Sequence, residues 1–219
     1  MSRSALVLGS TGLVGRELLK LLLKEDTYNN VAVLTRREIV TCHPKLTKSV
    51  GNLDELERYR DLFKADDIYC CLGTTMKKAK SRENFRRVDY EYPLQAANMA
   101  CSSGARRFLV ISAIGANKSS PFFYNRVKGE LESELRSLPF KSLIVIRPSL
   151  LLGKREEFRF GEKLGEKITL PLENLFQGPF RKYRPVKASD VALTMVSAAL
   201  GTDKGFQVYE SDEILRSTE

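Results

Sequence analysis

The sequence predicts an α/β protein built on a doubly wound parallel sheet. Short apolar runs alternate with amphipathic helical patterns, and the first run, residues 5–8, leads directly into a glycine-rich loop. Buried strands separated by helices pair in parallel through right-handed crossovers, with helices on both sheet faces. Because 219 residues suit one such core, we expect a single domain over residues 1–219.

Each element follows from its local pattern of apolar residues. Strands are predicted at the buried-type apolar runs 5–8, 31–34, 46–50, 68–72, 107–112 and 143–146. Helices are predicted where apolar residues recur at helical spacing, at 13–23, 53–63, 93–101 and 124–135. Ligands of such sheets bind beyond the carboxyl ends of the strands. The loops that follow the strands should therefore carry the function.

The loop after the first strand predicts a dinucleotide site of the Rossmann type. It reads Gly9-Ser10-Thr11-Gly12-Leu-Val-Gly15 between a strand and a helix. Glycines permit the tight turn and the close approach of backbone to a pyrophosphate. The helix N-terminus offers unpaired N–H groups and a positive dipole to the phosphates. The alternative is a strand-to-helix turn that needs glycine only for its geometry.

The residues after the second strand predict NADP(H) as the cofactor. NAD-binding proteins carry an acidic residue near this position, which binds the ribose 2′-hydroxyl. Here the strand ends in Thr35-Arg36-Arg37, with no carboxylate in place. Arginine makes forked, charge-assisted contacts to a 2′-phosphate. Alternatively, the two arginines are only solvated charge at a strand end.

Tyr124 and Lys128 are predicted to be catalytic residues. They lie four residues apart at the start of a predicted helix, and hence on one helix face. A nearby ammonium stabilises a phenolate, so Tyr124 would act as general acid/base while Lys128 tunes it and binds the nicotinamide ribose. Tyr183 and Lys187 share the spacing, but Pro185 between them opposes a helix.

Together these motifs resemble the atypical short-chain dehydrogenase/reductases, and within them the Tat-interacting-protein-like oxidoreductases. The likeness covers nearly the whole chain. It rests on Gly9-Ser-Thr-Gly-Leu-Val-Gly15, Thr35-Arg-Arg37, Cys70-Cys-Leu-Gly-Thr-Thr75, Val88-Asp89, Tyr124-Asn-Arg-Val-Lys-Gly129 and Arg147-Pro-Ser-Leu-Leu-Leu-Gly153. The resemblance implies a hydride-transferring enzyme with NADP(H) and a small carbonyl or alcohol substrate.

The resemblance also implies a set of cofactor contacts and a small lobe. The implied NADPH-lining residues are Thr11, Gly12, Leu13, Val14, Arg36, Arg37, Leu72 and Gly73, with Leu151 and Arg159 as further contacts. The segment 185–192 is similar to one that returns the chain from the substrate region in sugar-nucleotide epimerases. We therefore expect a core over about residues 1–150 and a small substrate-side lobe over about 151–210.

Ser112 is the candidate for the third catalytic residue, at the end of the fifth strand. The family places a hydroxyl there to polarise the substrate oxygen, but many relatives carry it one position later, where this chain has Ala113. A strand-end serine bonded to backbone accounts for Ser112 equally well. Ser119 or Ser120 are the alternatives.

The departure at Ala113 leaves a second function open, a regulator that senses NADP(H) and acts through a protein partner without turnover, as in NmrA-like relatives. The retained Tyr124 and Lys128 favour the enzyme. Fold alone does not decide between the two.

Composition excludes several other classes. The net charge of +9 invites a nucleic-acid interpretation, but the basic run 77–87 holds only Phe85 as a stacking residue. No apolar stretch reaches membrane-spanning length. Four cysteines without CxxC spacing and one histidine poorly supply a metal site. The run 5–8 is too short for a secretory signal, so we expect a cytoplasmic protein.

Overall fold

A seven-stranded, fully parallel sheet forms the centre of the protein in a computed structural model that describes residues 2–153, 182–202 and 204–217. Its strand order is β3-β2-β1-β4-β5-β6-β9. The strands are β1 (Arg3–Leu8), β2 (Tyr28–Thr35), β3 (Leu46–Val50), β4 (Asp67–Cys70), β5 (Arg107–Ile111), β6 (Ser142–Arg147) and β9 (Gly205–Glu210). The predicted doubly wound sheet is confirmed, because the chain adds β2 and β3 on one side of β1 and then β4, β5, β6 and β9 on the other.

The central strands are buried on both faces, which explains their continuous apolar runs. In β1 the alternate residues Ala5 and Val7 face one core, and Leu6 and Leu8 face the other. Leu8 is in register with Cys70, the last residue of β4, and with Leu34, the last but one of β2. The carboxyl ends of β1, β2 and β4 therefore meet at one edge of the sheet.

One sheet face is covered by three helices that bury leucine and alanine side chains. These are α1 (Leu13–Lys24), α6 (Ala188–Leu200) and α7 (Ser211–Arg216). In α1 the buried residues recur at helical spacing, as in Leu18, Leu19 and Leu22. The sequence correctly predicted α1, whereas α6 was missed because its residues fell in the segment assigned to the lobe, and α7 lies beyond the last predicted element.

The opposite face is covered by α4 (Tyr92–Ser102), α5 (Phe123–Leu135) and a 3₁₀ segment, Leu53–Lys64. The helix predicted over 53–63 is wrong in type: Glu55 and Tyr59 have non-helical dihedral angles inside it. Only Leu56 and Phe63 of this segment are buried, so packing on the sheet fixes two anchor points instead of a continuous helical stripe.

Two short helices and a π-helical turn connect β4 to α4. They are α2 (Met76–Ala79), α3 (Arg82–Arg86) and the turn Arg87–Glu91. β4 ends at Cys70, so Leu72 lies in the loop rather than in the strand as predicted. β5 likewise ends at Ile111, one residue before Ser112.

A second sheet of two short parallel strands, β7 (Leu151–Leu152) and β8 (Val186–Lys187), stands apart from the main one. It lies within the predicted lobe, but much of the rest of that span, including α6 and β9, belongs to the main layers. The remainder, residues 154–181, lies outside the described residues, so the extent of the lobe stays a prediction. Within the described ranges, no helix is long and apolar enough to cross a membrane.

We expect that α1 can pack against the glycine loop only if residue 15 has no side chain. A Cβ on Gly15 would lie 2.2 Å from the Gly9 carbonyl oxygen, so Gly15→Ala must displace backbone. We expect a loss of about 1–3 kcal/mol in the free energy of unfolding, measured by urea denaturation. Gly201→Ala is the control, because its Cβ would meet nothing closer than 3.4 Å. Equal stability of both variants would contradict this packing.

Candidate active site

A cleft opens at the carboxyl ends of the central strands, where β1 and β4 lie side by side. It consists of two adjoining cavities of about 320 and 610 Å³. Their shared lining residues are Thr11, Gly12, Cys71, Leu72, Gly73, Thr74 and Lys78. Both volumes lie in the range of small-molecule sites. The shared lining makes them one elongated cleft, and the smaller cavity holds the predicted catalytic residues.

The glycine loop forms the floor between the two cavities. Gly9 has a positive φ of 81°, and a Cβ there would lie 2.7 Å from the Cys71 carbonyl oxygen. The Gly12 N–H donates to the Gly9 carbonyl at 2.9 Å, which closes the turn. Gly12 is the N-cap of α1 and has no capping side chain. The first N–H groups of α1 are therefore left for a ligand in the cleft.

The buried hydroxyl of Ser10 indicates what kind of ligand the glycine loop fits. Ser10 lines the larger cavity and is 2% exposed. Its hydroxyl is the only buried side-chain polar atom without a hydrogen-bond partner among the described residues. Buried polar groups are rarely left unpaired. An oxygen-rich ligand at the loop would supply the missing partner, so the residues present fit a dinucleotide pyrophosphate.

The larger cavity is walled by β2 and by a polar cluster around Asp54. The Asp54 carboxylate accepts a hydrogen bond from the Tyr92 hydroxyl at 2.6 Å and forms an ion pair with Arg87. Burial and then the neighbouring Asp54 raise the pKa of Tyr92 to about 12. Arg36 lines this cavity, whereas Arg37 is exposed and is not among its lining residues. The cavity thus offers cationic groups to its ligand.

The smaller cavity contains Tyr124 and Lys128 on one face of α5. Tyr124 is 37% exposed, and its ring packs against Phe85 at 5.5 Å between centroids. Lys128, one turn later, is 3% exposed and lies beneath it. Loop residue Asn117 donates its N–H to the Asn125 carbonyl at 3.0 Å, which ties the preceding loop to the start of α5. The predicted pair therefore faces the cleft together.

Asp89 pairs with the buried Lys128 and was not identified from the sequence as a site residue. The Lys128 ammonium lies 2.8 Å from the Asp89 carboxylate and donates to the Ile111 carbonyl at 3.3 Å. Asp89 also accepts the Thr74 N–H at 2.7 Å, which joins the pair to the loop after β4. Burial alone would lower the pKa of Lys128, but Asp89 and Tyr124 outweigh it and raise that pKa.

Lys128 therefore stays charged inside the protein. An ammonium has three donors, and two of them are used by Asp89 and Ile111. Within the described part of the chain, the third has no partner, and it lies at the wall of the smaller cavity. A ligand in the cavity would accept a hydrogen bond from this third N–H.

Ser112 also lines the smaller cavity, but its hydroxyl donates a hydrogen bond to a residue that does not line the cavity. The acceptor is the carboxylate of Glu132, which is 5% exposed on α5. Arg147, at the end of β6, holds the same carboxylate through Nε at 3.1 Å and Nη2 at 2.5 Å. The Ser112 N–H donates to the Ile146 carbonyl at 2.7 Å, so backbone and side chain are both fixed.

Most of the residues predicted from the sequence meet in this cleft. Those that line it are Gly9, Ser10, Thr11, Gly12, Leu13, Val14, Arg36, Leu72, Gly73, Ser112, Tyr124, Lys128 and Leu151. Gly15 is buried in the packing of α1, and the exposed Arg37 lines neither cavity. Arg159 lies outside the described residues. Among the described residues, no cluster of His, Cys, Asp or Glu suits a metal ion, and all four cysteines are free thiols.

Three charged residues of the site were missed: Asp89, Glu132 and Arg147. Glu132 follows Lys128 by four residues in a predicted helix, and this spacing was the available signal for it. Asp89 sits in the π-helical turn, an irregularity that local periodicity does not reveal and that often marks functional sites.

Comparison with known proteins places this architecture among dinucleotide enzymes. Residues 5–134 match the family described as the NAD dependent epimerase/dehydratase family. Protein HTATIP2 of Rattus norvegicus is 37% identical over 171 residues, which cover 76% of this chain and 70% of that protein. The mitochondrial protein FMP52 of Candida albicans is 32% identical over 224 residues, covering 97% of this chain and 93% of its own.

The expectation of a cytoplasmic protein is wrong by this comparison. Relatives that match over nearly the whole chain, from Candida albicans, Eremothecium gossypii and Scheffersomyces stipitis, are named as mitochondrial proteins. That expectation rested on the short apolar run 5–8, which argues only against a secretory signal.

Solved structures of low sequence identity share the fold. The Bordetella bronchiseptica enzyme WbmH, in complex with NAD+, has a TM-score of 0.73 at 16% identity, covering 96% of this chain and 76% of its own. MoeE5, in complex with UDP-glucose and NAD, has a TM-score of 0.71 at 15% identity, covering 97% and 80%.

Replacing Asp89 should expose the cost of an unpaired buried ammonium. Asp89→Asn keeps an oxygen for the Thr74 N–H but removes the charge, so at neutral pH we expect a loss of about 3–5 kcal/mol in the free energy of unfolding. Without Asp89, burial lowers the pKa of Lys128 below its unfolded value. The unfolded chain then binds more protons, so the deficit should shrink as the pH rises toward about 10.

Urea denaturation of both proteins across this pH range measures the deficit. Asp61→Asn is the control, because it breaks an exposed ion pair with Lys64. An Asp89→Asn deficit no larger than that of the control, or one that grows with pH, would contradict the pairing.

Proposed function

Because the chain belongs to the NAD dependent epimerase/dehydratase family, we propose that it is an oxidoreductase that transfers hydride between NADP(H) and a small carbonyl or alcohol substrate. The observation that carries the proposal is the single cleft in which a phosphate-type glycine loop meets Tyr124 and a charged, buried Lys128. The glycine loop accounts for cofactor binding, and the Tyr124–Lys128 pair accounts for proton transfer.

The cationic side chains of the larger cavity favour NADP(H) over NAD(H) as the cofactor. Arg36 lines it at the end of β2, where NAD-binding proteins of this type place a carboxylate. Arg87 lines the same cavity, although Asp54 pairs with it. The solved neighbours named above are in complex with NAD, so the fold itself does not exclude NAD. Arg36 is the residue that would favour the 2′-phosphate.

The residues of the smaller cavity would handle the proton. When bound, the reduced nicotinamide supplies a hydride to the substrate carbonyl carbon. Tyr124 is placed to donate its phenolic proton to the carbonyl oxygen, so that the carbonyl becomes an alcohol. Lys128 stabilises the phenolate that remains, and its third N–H is available to a ribose hydroxyl. The reverse sequence oxidises an alcohol, with Tyr124 as the base.

The second candidate function is an NADP(H) sensor that acts on a protein partner without turnover. One observation favours it: the Ser112 proton is committed to Glu132 and so is withheld from a substrate oxygen. The exposed Tyr124 beside a charged Lys128 favours the enzyme instead, because a sensor has no need of a proton donor at the mouth of the cleft.

We expect NADPH to bind at least about tenfold tighter than NADH, because charge-assisted bonds to Arg36 are lost without the 2′-phosphate. Fluorescence titration measures both affinities. Arg36→Met should remove most of the preference, and Arg37→Met, whose side chain does not line the cleft, should remove less. Equal affinities in the unmodified protein would overturn the cofactor assignment.

Tyr124→Phe should lower kcat by about a hundredfold or more while the affinity for NADPH changes little. The ring and its packing on Phe85 remain, so only the proton donor is lost. NADPH oxidation with a panel of small ketones and aldehydes measures kcat. Tyr183→Phe is the control, since Tyr183 has a lysine at the same spacing but does not line the cleft. Full activity of Tyr124→Phe would show that another group supplies the proton.

A further inference from the structure

The hydroxyl of Ser112 has its proton directed away from the cleft. Glu132 is paired with Arg147, whose pKa is raised first by its hydrogen bond to that carboxylate. Arg147 donates hydrogen bonds to both oxygens of the Glu132 carboxylate, and a carboxylate accepts hydrogen bonds but donates none. A serine hydroxyl has one proton. In the Ser112–Glu132 hydrogen bond, Ser112 must therefore be the donor.

Ser112 consequently offers only oxygen lone pairs to the smaller cavity. A carbonyl oxygen placed against it would bring two acceptors together, which leaves both without a bond. A hydroxyl group placed there would instead donate to Ser112. Tyr124, at 37% exposure, has no hydrogen-bond acceptor for its proton among the described residues, so the proton is available to the carbonyl oxygen within the same cavity. The two hydroxyls thus have opposite polarity toward a ligand.

We propose that Glu132 and Arg147 fix Ser112 as a hydrogen-bond acceptor, so that the site selects carbonyl substrates bearing a hydroxyl group on the neighbouring carbon. The inference rests on the proposed function and names its substrate class, the α-hydroxy ketones and aldehydes. Reduction of such a compound forms a vicinal diol: the hydride adds to the carbonyl carbon, the Tyr124 proton adds to its oxygen, and NADPH becomes NADP+. Ser112 contacts the substrate, and Glu132 and Arg147 are positioning residues.

The geometry around Glu132 supports this assignment. Arg147 approaches both carboxylate oxygens, with Nε at 3.1 and 3.2 Å, so the carboxylate cannot rotate away from Ser112. Arg147 is itself held by Glu210 at 3.5 Å, at the end of β9. The Ser112 backbone is anchored to β6 on its other side. The orientation of the hydroxyl is thus imposed by three strands and α5.

Matched pairs of substrates test the inference, using NADPH oxidation by the full chain. Hydroxyacetone and 2-butanone differ by a hydroxyl in place of a methyl next to the carbonyl, and glycolaldehyde and propanal differ in the same way. We expect kcat/KM to be about tenfold or more higher for the hydroxylated member, the scale for leaving one buried polar group unpaired. This ratio does not depend on how much of a preparation is active.

Two variants locate the cause of the preference. Ser112→Ala removes the acceptor and should bring the ratio close to one. Glu132→Gln places an amide that donates to Ser112, whose own proton then turns into the cleft, so the ratio should also fall. Glu134→Gln, an exposed glutamate on the same helix, should leave the ratio unchanged. Ser112→Ala carries the test alone if Glu132→Gln does not fold.

The outcomes separate the inference from the function on which it rests. Equal efficiency for the two members of each pair, or a ratio that Ser112→Ala leaves intact, would overturn the inference alone. Failure to oxidise NADPH with any of the four compounds, in a protein that still binds NADPH, would overturn the proposed hydride transfer and the inference with it.

Discussion

The site depends on the way the chain leaves the two central strands. From β1 it turns through Gly9 onto one face of the sheet and forms α1, whereas from β4 it passes through the loop at Leu72 to the opposite face and α4. Neighbouring parallel strands whose connections diverge leave a crevice between them at their carboxyl ends. Gly9 and Gly15 are required because backbone approaches backbone there at distances that no Cβ tolerates.

Two buried charge pairs then give this crevice its chemistry, and both are attached to α5. Lys128 is paired with Asp89, and Glu132, one turn later, is paired with Arg147. Burying a charge is costly unless it is paired and hydrogen-bonded, and each of these has two or more partners. The first pair keeps an ammonium charged beneath Tyr124. The second sets the direction of the Ser112 proton.

The sequence predicted the parts of the protein that depend on local patterns. The glycine loop, the alternation of strands and helices, and the Tyr124–Lys128 spacing are readable because each is fixed by residues near one another in the chain. Asp89 was not readable as a partner, since its contacts with Lys128 and Thr74 are made only in three dimensions. The strand Gly205–Glu210 was missed because a polar, half-buried edge strand lacks the apolar run of a central one.

Other departures have equally local causes. The segment Leu53–Lys64 carries helical spacing but buries only two anchor residues, so packing did not enforce a regular α-helix. Ser112 was expected to polarise a substrate oxygen, and this role stays a prediction of the resemblance. In the structure its proton is directed to Glu132, which the sequence placed on the right helix face without revealing the contact.

A crystal structure of the protein with NADP+ tests the cleft most directly. We expect the pyrophosphate against the N–H groups at the start of α1, with the Ser10 hydroxyl as a partner. We also expect the nicotinamide ribose within hydrogen-bonding distance of the Lys128 ammonium and the 2′-phosphate at Arg36. A dinucleotide bound elsewhere, or one whose nicotinamide ring lies outside the cavity of Tyr124, would contradict the assignment of the cleft as a redox site.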